Sequence, residues 1–316
     1  MHAAVVTTFD APPAYREFPA PTPQTPDDIL VEVIAAGLHP RVRSQADGSH
    51  YTSSGELPLV PGIDGVGRAV DGALRYFVLP DTTVGAMAEQ TVIDQRRSVT
   101  LPDDADPILV AAAMNPVMSS WIALRRRIHF APGQTVLVLG ATGSSGRMAV
   151  QVAKRFGAGH VIGAGRDPQR LAALTELGAD ATVRLDDAGS AGDLARAARD
   201  VDVVIDYLWG PPTASAMAAI VVNRPDPGKP LTWIEIGSVA GGDAAIPSAA
   251  LRAARLQIVG SGQGSIPTRD ILAELPAIAG EITRGAFRID ARNVPLADVE
   301  SAWSETETEQ RIVFEP

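Results

Sequence analysis

The segment TVLVLGATGSSG, which covers Thr135 to Gly146, constrains the fold of this chain more than any other feature. Its apolar first half has the length of a buried strand, and glycines follow at positions 140, 143 and 146, where an amphipathic helical pattern begins. Small residues let the backbone turn tightly and approach a pyrophosphate, while the helix start offers unpaired N–H groups to the anion. The segment therefore predicts a dinucleotide site, with a ligand-free turn as the alternative. The predicted contacts are Gly140, Ala141, Thr142, Gly143, Ser144, Ser145 and Gly146.

Strand-like and helix-like patterns alternate around this segment. The predicted strands are Thr135–Leu139, His160–Ala164, Thr182–Leu185, Val201–Asp206, Leu231–Ile236 and Leu256–Val259. The predicted helices are Gly146–Phe156, Pro168–Leu177, Asp193–Arg199, Thr213–Val221 and Ser248–Arg255. Such alternation is typical of βαβ units, so we expect an α/β fold with a doubly wound parallel sheet in this part of the chain.

The flanking regions have a different pattern. Apolar segments rich in β-branched residues indicate strands at Ala3–Thr7, Ile29–Ala35, Met87–Ile93 and Arg311–Phe314. Glycines between positions 62 and 72 punctuate another β segment, and the whole favours a small, irregular β-barrel. Helices are expected at Ile108–Arg127 and Thr268–Thr283.

The composition narrows the possible partners. Lys and Arg number 27 against 37 Asp and Glu, which gives a net charge of −10. An acidic surface repels nucleic acid and anionic membranes, so we expect neither as a partner. The chain has no Cys, which excludes disulfides, thiolate metal ligands and a Cys nucleophile. The start of the sequence lacks a signal-peptide pattern and the longest apolar runs are strand-sized, so we expect a cytoplasmic protein without membrane spans.

The second strand of the predicted sheet ends at Gly165 and Arg166. A NAD site usually has an Asp or Glu here, about 20 residues after the glycine segment, to bind the ribose hydroxyls. Gly165 leaves room for a 2′-phosphate, which the Arg166 guanidinium can bind through two hydrogen bonds. Arg170 follows one helical turn later and can support it. These residues predict NADPH as the cofactor, and an ordinary solvated Arg166 is the alternative.

Several further motifs carry a resemblance to a known family. Residues 61–67, PGIDGVG, are similar to a Pro-Gly-x-(Glu/Asp)-Gly-x-Gly segment, and residues 36–40, AGLHP, resemble an Ala-Gly-Val-Asn-Pro stretch. Residues 119–121, 177–180, 202–206 and 311–313 also match in place and type. On these motifs the chain resembles the medium-chain dehydrogenase/reductase superfamily, specifically its zinc-free quinone oxidoreductase branch.

The resemblance covers essentially the whole chain and implies its organisation. A GroES-like, β-rich catalytic domain would comprise residues 1–115 and 263–316, interrupted by an NADPH-binding Rossmann domain at residues 116–262. The resemblance also implies that Asn115 and Ser119 lie near the nicotinamide.

Two further predicted cofactor segments follow the fifth and sixth strands. Ligands of open α/β sheets bind beyond the carboxyl ends of the strands, although ordinary strand-end turns are the alternative here. The residues concerned are Gly237, Ser238, Gly260 and Ser261. The sixth strand itself would be an apolar sheet edge, and such edges are usually covered, so we expect a homodimer formed through it.

The positions that would bind catalytic zinc in related enzymes match His39, Ile63 and Asn115. Zinc requires three protein ligands drawn from Cys, His and carboxylate, and Ile63 cannot serve as one. Asp64 is a possible substitute, but one His and one Asp are still too few. We therefore expect no metal.

Without a metal, a side chain or water must supply a proton to the reduced acceptor. Tyr51 lies where related enzymes often carry a Tyr, and its phenol can donate a hydrogen bond and relay a proton. His39 is the second candidate, because a neutral imidazole can do either near neutral pH. The alternatives are that Tyr51 packs on the barrel, that His39 is structural, and that a reduced quinone takes its proton from water.

These features together predict an NADPH-dependent oxidoreductase that transfers a hydride to a small-molecule electron acceptor, namely a quinone, an enone or an enal. Carbonyl reduction to an alcohol is the alternative among enzymes. A non-catalytic NADPH-binding sensor is the alternative from a different class of protein.

Overall fold

The structure is a computed structural model that describes residues 1–185, 190–305 and 310–316. The chain divides into two units: unit 1 combines Met1–Asn115 with Leu272–Pro316, and unit 2 is Pro116–Ile271. The units thus meet after Asn115 and after Ile271, whereas the sequence analysis sets its domain boundaries after residues 115 and 262. The added segment folds locally, because the Gly262 N–H donates to Ser265 Oγ at 2.8 Å and Ile266 is buried.

The strands are numbered along the chain. They are β1 (His2–Val5), β2 (Ala14–Glu17), β3 (Asp28–Gly37), β4 (Asp64–Ala69), β5 (Leu74–Val78), β6 (Gln90–Asp94), β7 (Ser98–Thr100), β8 (Thr135–Leu139), β9 (His160–Gly165), β10 (Ala181–Arg184), β11 (Val203–Asp206), β12 (Leu231–Glu235), β13 (Leu256–Gly260), β14 (Ala291–Pro295) and β15 (Arg311–Glu315).

The α-helices are numbered in the same way. They are α1 (Pro40–Ala46), α2 (Pro107–Ile122), α3 (Ser144–Arg155), α4 (Pro168–Ala173), α5 (Ser190–Ala197), α6 (Gly210–Val222), α7 (Ser248–Ala253), α8 (Thr268–Leu272), α9 (Leu275–Thr283) and α10 (Val299–Trp303). Short 3-10 helices cover Gln95–Arg97 and Leu296–Asp298, and a π-helical turn covers Ala123–Arg127.

Unit 2 is built on a parallel six-stranded sheet with the order β10-β9-β8-β11-β12-β13. The chain runs outward from β8 to β10 and then returns to β11 on the other side of β8. This is the doubly wound order of a Rossmann fold, and it opens a crevice at the carboxyl ends of β8 and β11. Leu137, Val204 and Trp233 are buried in its core, as continuous apolar strands covered on both faces require. The predicted α/β fold class is confirmed.

Unit 1 is a β-rich, GroES-like domain. Its main sheet has the order β14-β15-β3-β4-β5-β7, with β6 also paired to β3, and β1 and β2 form a separate pair. Tyr76, Phe77 and Phe314 are fully buried, so side chains from the beginning and the end of the sequence share one unit. The sequence did not predict α1 or β14. Both are short, and β14 carries charged and polar residues that weaken its strand pattern.

One predicted helix is divided in the structure, and another is longer and more apolar than the expectation about membrane spans allowed. The helix expected at Thr268–Thr283 is two helices, α8 and α9, because Pro276 lies in the first turn of α9 and cannot continue a preceding helix. The helical segment Pro107–Arg127 is long and apolar enough to cross a membrane, which corrects the expectation that all apolar runs are strand-sized. About two thirds of it (67%) is buried inside the protein, as in a core helix.

Candidate active site

The glycine segment forms a tight turn between β8 and α3. Gly140 has a φ of +81°, a left-handed conformation that favours glycine. Gly140 and Ala141 both donate their N–H groups to the Ala164 carbonyl, at 3.0 and 2.9 Å, which ties the turn to β9. A Cβ on Gly146 would lie 2.2 Å from the Gly140 carbonyl oxygen, so only glycine lets the first turn of α3 pack against the end of β8. The turn brings all seven predicted pyrophosphate contacts to one strand end.

The N-terminus of α3 fits an anion. Gly143 is the N-cap residue, and no side chain caps the helix or places an acidic group in its first turn. The backbone N–H groups that follow therefore keep their partial positive charge for a ligand. This arrangement, on a helix of 12 residues, is the one that binds phosphate groups in nucleotide-binding folds.

Arg166 directly follows β9 and is exposed. The next residue, Asp167, caps α4 by accepting hydrogen bonds from the N–H groups of Gln169 and Arg170, at 2.8 and 3.0 Å. The bond from Arg170 is the main reason that the pKa of Asp167 lies below its usual value. The Arg170 guanidinium is half-buried, with Nε 3.8 Å from Asp167 Oδ2. Arg166 is thus the exposed cation at the end of β9, and Arg170 is engaged with its own helix cap.

Asp206, the last residue of β11, is fully buried and accepts four hydrogen bonds. Oδ1 accepts from the backbone N–H groups of Leu208 and Trp209, at 2.8 and 3.1 Å. Oδ2 accepts from Thr213 Oγ1 at 2.6 Å and from Trp233 Nε1 at 2.9 Å. A buried carboxyl group needs such donors, because leaving it unsatisfied would be costly. The carboxyl group therefore fixes the backbone of the segment between β11 and α6.

Tyr207 follows Asp206 and contacts a predicted cofactor residue. Its hydroxyl oxygen lies 2.9 Å from Ser119 Oγ, which also donates to the Pro116 carbonyl at 2.9 Å. Because Ser119 has a single hydroxyl hydrogen, Tyr207 is the donor in the pair. Burial raises the pKa of Tyr207 to about 12. Tyr207 was not among the residues predicted from the sequence, although its position at the carboxyl end of the fourth strand is a usable signal.

The other predicted contacts of unit 2 lie at two more strand ends, at Gly237, Ser238, Gly260 and Ser261. The Gly237 N–H donates to the Asp206 carbonyl at 3.2 Å, and the Ser261 N–H donates to the Glu235 carbonyl at 2.8 Å. Burial raises the pKa of the Glu235 carboxyl group, and the charge of nearby Asp206 adds to this effect. Glu235 is a second titratable group at the carboxyl edge of the sheet that the sequence analysis did not identify.

The two candidate proton donors lie in unit 1 in contrasting surroundings. His39 is 3% exposed, and its Nε2 lies 3.0 Å from Asp64 Oδ1. Tyr76 donates to the other oxygen of Asp64 at 2.8 Å. Burial lowers the pKa of His39 even though Asp64 opposes the shift. A neutral His39 therefore carries its proton on Nε2 and donates it to Asp64, while Nδ1 has no partner among the described residues.

Tyr51 is 71% exposed, so it does not pack on the barrel. Its ring stacks against His50, with 4.2 Å between the ring centroids. Thr52 holds this loop: it accepts from Arg41 at 2.8 Å and donates to Asp81 at 2.5 Å, and Arg41 also pairs with Asp81. The two candidates thus belong to separate networks, one on the surface and one in the core. Asn115, the last residue of unit 1, is half-buried within α2.

The sequence of residues 146–279 matches the family described as zinc-binding dehydrogenase. Over its whole length the chain is 32% identical to a probable NADPH-dependent quinone reductase of Emericella nidulans, and the alignment covers 100% of both chains. The chain belongs to the quinone-reductase-like branch of the medium-chain dehydrogenase/reductase superfamily. An NADPH-dependent alkenal/one oxidoreductase of Arabidopsis thaliana is 26% identical over 50% of this chain and 45% of its own length.

A solved structure of a superfamily member has the same fold. The quinone oxidoreductase of Thermus thermophilus superposes with a TM-score of 0.80 at 23% identity, and the match covers 100% of both chains.

The side chains at the metal position of the superfamily are not arranged as metal ligands. His39 and Asp64 hydrogen-bond to each other. Ile63, the second of the three metal positions, is a buried apolar residue. Residues 1–185, 190–305 and 310–316 contain no group of three or more His, Cys, Asp or Glu that could hold a metal ion. These side chains do not fit a catalytic zinc ion, which requires three protein ligands.

Proposed function

We propose that this protein is an NADPH-dependent reductase that transfers a hydride to a quinone or an activated alkene without a metal ion. The proposal depends on one observation, the uncapped start of α3. This helix start follows the glycine turn after β8, the strand at which the order of the sheet reverses. The Emericella nidulans relative, named a probable NADPH-dependent quinone reductase, supports the same activity.

The side chains of unit 2 fit NADPH. The N–H groups from Ser144 to Gly146 would bind the pyrophosphate, and Arg166 would bind the 2′-phosphate. Ser119 and the segments after β12 and β13 would surround the nicotinamide, in line with their places at the carboxyl edge. NADPH supplies the hydride when it is bound, and the protein orients it and excludes water.

The two acceptor classes differ in the source of the proton that is added after the hydride. A reduced enone is an enolate that needs an acid, whereas a hydroquinone anion can take a proton from water. Because His39 donates its Nε2–H to Asp64, Tyr51 is the more accessible of the two candidate acids. Tyr51→Phe should therefore slow enone turnover more than quinone turnover, within the roughly 10²–10⁴-fold range typical of acid catalysis.

The experiment that tests the function is stopped-flow oxidation of NADPH by the purified protein. 1,4-Naphthoquinone, 2-cyclohexenone and an aliphatic aldehyde would be compared at saturating cofactor. Fast turnover of the quinone or the enone, unchanged by a chelator, is expected. Turnover of the aldehyde alone would identify a carbonyl reductase. Tight NADPH binding with no oxidation by any acceptor would identify a sensor.

We also propose that two copies associate through β13 in the cytoplasm. β13 is the last strand in the sheet order, and Leu256 and Ile258 on it are only half-buried. An exposed apolar strand edge is normally covered, and a second copy of the same edge would cover it. Light scattering after gel filtration should give the mass of a dimer, and Ile258→Lys should give that of a monomer.

A further inference from the structure

Among the described residues, Trp209 is the one other than glycine that has a positive φ. Its φ of 52° and ψ of −163° lie in a region that is almost exclusive to glycine, and a bulky side chain there is an outlier. Such backbone strain persists only where the surrounding structure holds it, and it clusters at ligand-binding segments.

Two contacts hold the strained backbone in place. Asp206 Oδ1 accepts the Trp209 N–H at 3.1 Å. On the other side, Gly210 has a φ of 67°, and a Cβ on it would lie 2.8 Å from the Ala240 carbonyl oxygen. The hydrogen bond holds the peptide group before Trp209, and the close packing of Gly210 against Ala240 restricts the peptide group after it.

The strained segment lies between two predicted cofactor segments. A Cβ on Gly140 of the glycine turn would lie 3.1 Å from Leu208 Cδ2. On the other side, the Leu208 carbonyl accepts the Ala240 N–H at 2.8 Å, just beyond the segment that follows β12. The neighbouring Val239 is 73% exposed, so an apolar surface accompanies Trp209 at the carboxyl edge of the sheet.

Folding alone gives no reason for a tryptophan at this position. Glycine would remove the strain, and the indole ring recovers only part of the stabilisation from burial, because Trp209 is half-buried. The indole nitrogen makes no hydrogen bond to any residue that the structure describes. A strained, half-exposed aromatic ring at the ligand edge indicates a role in binding.

We propose that Trp209 is a specificity-determining residue whose indole stacks on the planar ring of the acceptor. The chain then favours ring-fused aromatic quinones over open-chain enones, because only a flat, extended π-system gains from the stacking. This inference rests on the proposed reductase function and selects between its two acceptor classes.

Three variants separate the ring from the strain. Trp209→Phe keeps an aromatic ring, Trp209→Ala keeps the strained backbone without a ring, and Trp209→Gly removes both. The KM for 1,4-naphthoquinone should rise by about 2- to 12-fold in the Ala and Gly variants, the range that stacking of about 0.5–1.5 kcal/mol gives at about 1.4 kcal/mol per tenfold. The KM for 3-buten-2-one and the affinity for NADPH should stay within about twofold.

The melting temperature checks the strain independently of activity. Trp209→Gly should melt at least about 2 °C above Trp209→Ala, because only glycine adopts this conformation freely. Equal melting temperatures would contradict the strained conformation on which the inference is based.

Tryptophan fluorescence provides a binding readout that does not need turnover. 1,4-Naphthoquinone added to the NADP⁺-saturated protein should quench the emission, and Trp209→Phe should abolish most of that quenching. The matched control is Trp303→Phe, which removes another half-buried tryptophan, in α10 of unit 1, and should leave the quenching intact. Unchanged quenching and KM in the Trp209 variants of an active enzyme would overturn the inference. If the wild-type protein does not oxidise NADPH with any of the acceptors tested, the proposed function is overturned instead.

Discussion

Each unit contains a buried carboxyl group at the centre of a hydrogen-bond network, Asp64 in unit 1 and Asp206 in unit 2, and the two groups are used differently. In unit 1, Asp64 accepts from the side chains of His39 and Tyr76, which lie at 3.0 and 2.8 Å. In unit 2, Asp206 accepts from two backbone N–H groups, an indole and a hydroxyl. The first network joins side chains within a core, whereas the second fixes the backbone at the edge of a nucleotide-binding sheet.

The two networks differ in whether the partners of the carboxyl group can switch between donating and accepting a hydrogen bond. An imidazole can exchange its tautomer and a phenol can accept as well as donate, so the partners of Asp64 can adapt to a changed acceptor. Three of the four partners of Asp206, two backbone N–H groups and an indole N–H, only donate, and the Thr213 hydroxyl is the one that can also accept. The network around Asp206 can therefore exchange its donors and acceptors less than the network around Asp64, which suits a segment that holds a strained residue.

Gly143→Val should have the largest effect on NADPH affinity, because it changes the glycine turn at the carboxyl edge of the sheet in unit 2. The φ of Gly143 is −79°, and a Cβ there would meet only the Gly140 carbonyl oxygen, at 3.7 Å, so the variant should fold. The valine would stand where the pyrophosphate approaches. Loss of two charged hydrogen bonds should weaken NADPH at least about 100-fold in a fluorescence titration.

The control for this variant is Gly228→Val, at an exposed turn before β12, on the opposite edge of the sheet. It should bind NADPH like the wild type. Wild-type affinity in a folded Gly143→Val protein would show that the glycine turn does not bind the phosphates.

Arg166→Ala tests whether the exposed cation after β9 selects the cofactor. A charged hydrogen bond contributes about 1.5–3 kcal/mol, so NADPH should weaken about 10- to 150-fold while NADH is nearly unaffected. Arg155→Ala, at the far end of α3, removes the same charge and should change neither affinity. Equal losses for NADPH and NADH in Arg166→Ala would mean that this residue does not bind the 2′-phosphate.

Replacement of Asp64 or Asp206 by Asn tests the difference between the two networks directly. Asp206→Asn can satisfy the two backbone N–H groups with its oxygen, but its NH₂ group then faces the indole of Trp233, another pure donor. One unsatisfied buried donor should lower the free energy of unfolding by about 1–3 kcal/mol. Asp64→Asn should cost less than about 1 kcal/mol, because His39 and Tyr76 can each become acceptors.

Urea unfolding of both variants, with NADPH affinity measured in parallel, checks this pair. Asp206→Asn should also weaken NADPH, since it loosens the segment beside the glycine turn, while Asp64→Asn should not. The comparison fails if Asp64→Asn is the more destabilised of the two.

The sequence predicted features that depend on local patterns. The glycine turn was found because an apolar strand, three glycines and an amphipathic helix are adjacent in the chain. The pairing of His39 with Asp64 was not predicted, because the two residues are 25 positions apart and their contact depends on how β4 packs in the barrel. The positive φ of Trp209 was also not predictable, because the close packing of Gly210 against Ala240, a residue distant in the sequence, acts together with the local bond to Asp206 to override the preference of tryptophan.

A pH dependence of stability is also expected, and it belongs to unit 1. Burial lowers the pKa of His39, and burial also lowers the pKa of His50 to about 4. The unfolded chain, with histidine pKa values of about 6.5, then binds more protons than the folded chain between about pH 6.5 and 4. Stability is therefore complete above that window and is lost as the pH falls through it, by at most about 1.4 kcal/mol per pH unit for each histidine.

The urea concentration at the midpoint of unfolding should consequently be lower at about pH 5 than at about pH 7 in the wild type. His39→Gln should reduce this dependence to the part that His50 contributes, because glutamine can donate to Asp64 but does not titrate. His129→Gln, at an exposed position of unit 2, is the matched control and should keep the wild-type slope. A steeper slope in His39→Gln, or a midpoint that rises as the pH falls, would mean that His39 is protonated in the folded protein. Its network with Asp64 would then be an ion pair, and Asp64→Asn should be as destabilising as Asp206→Asn.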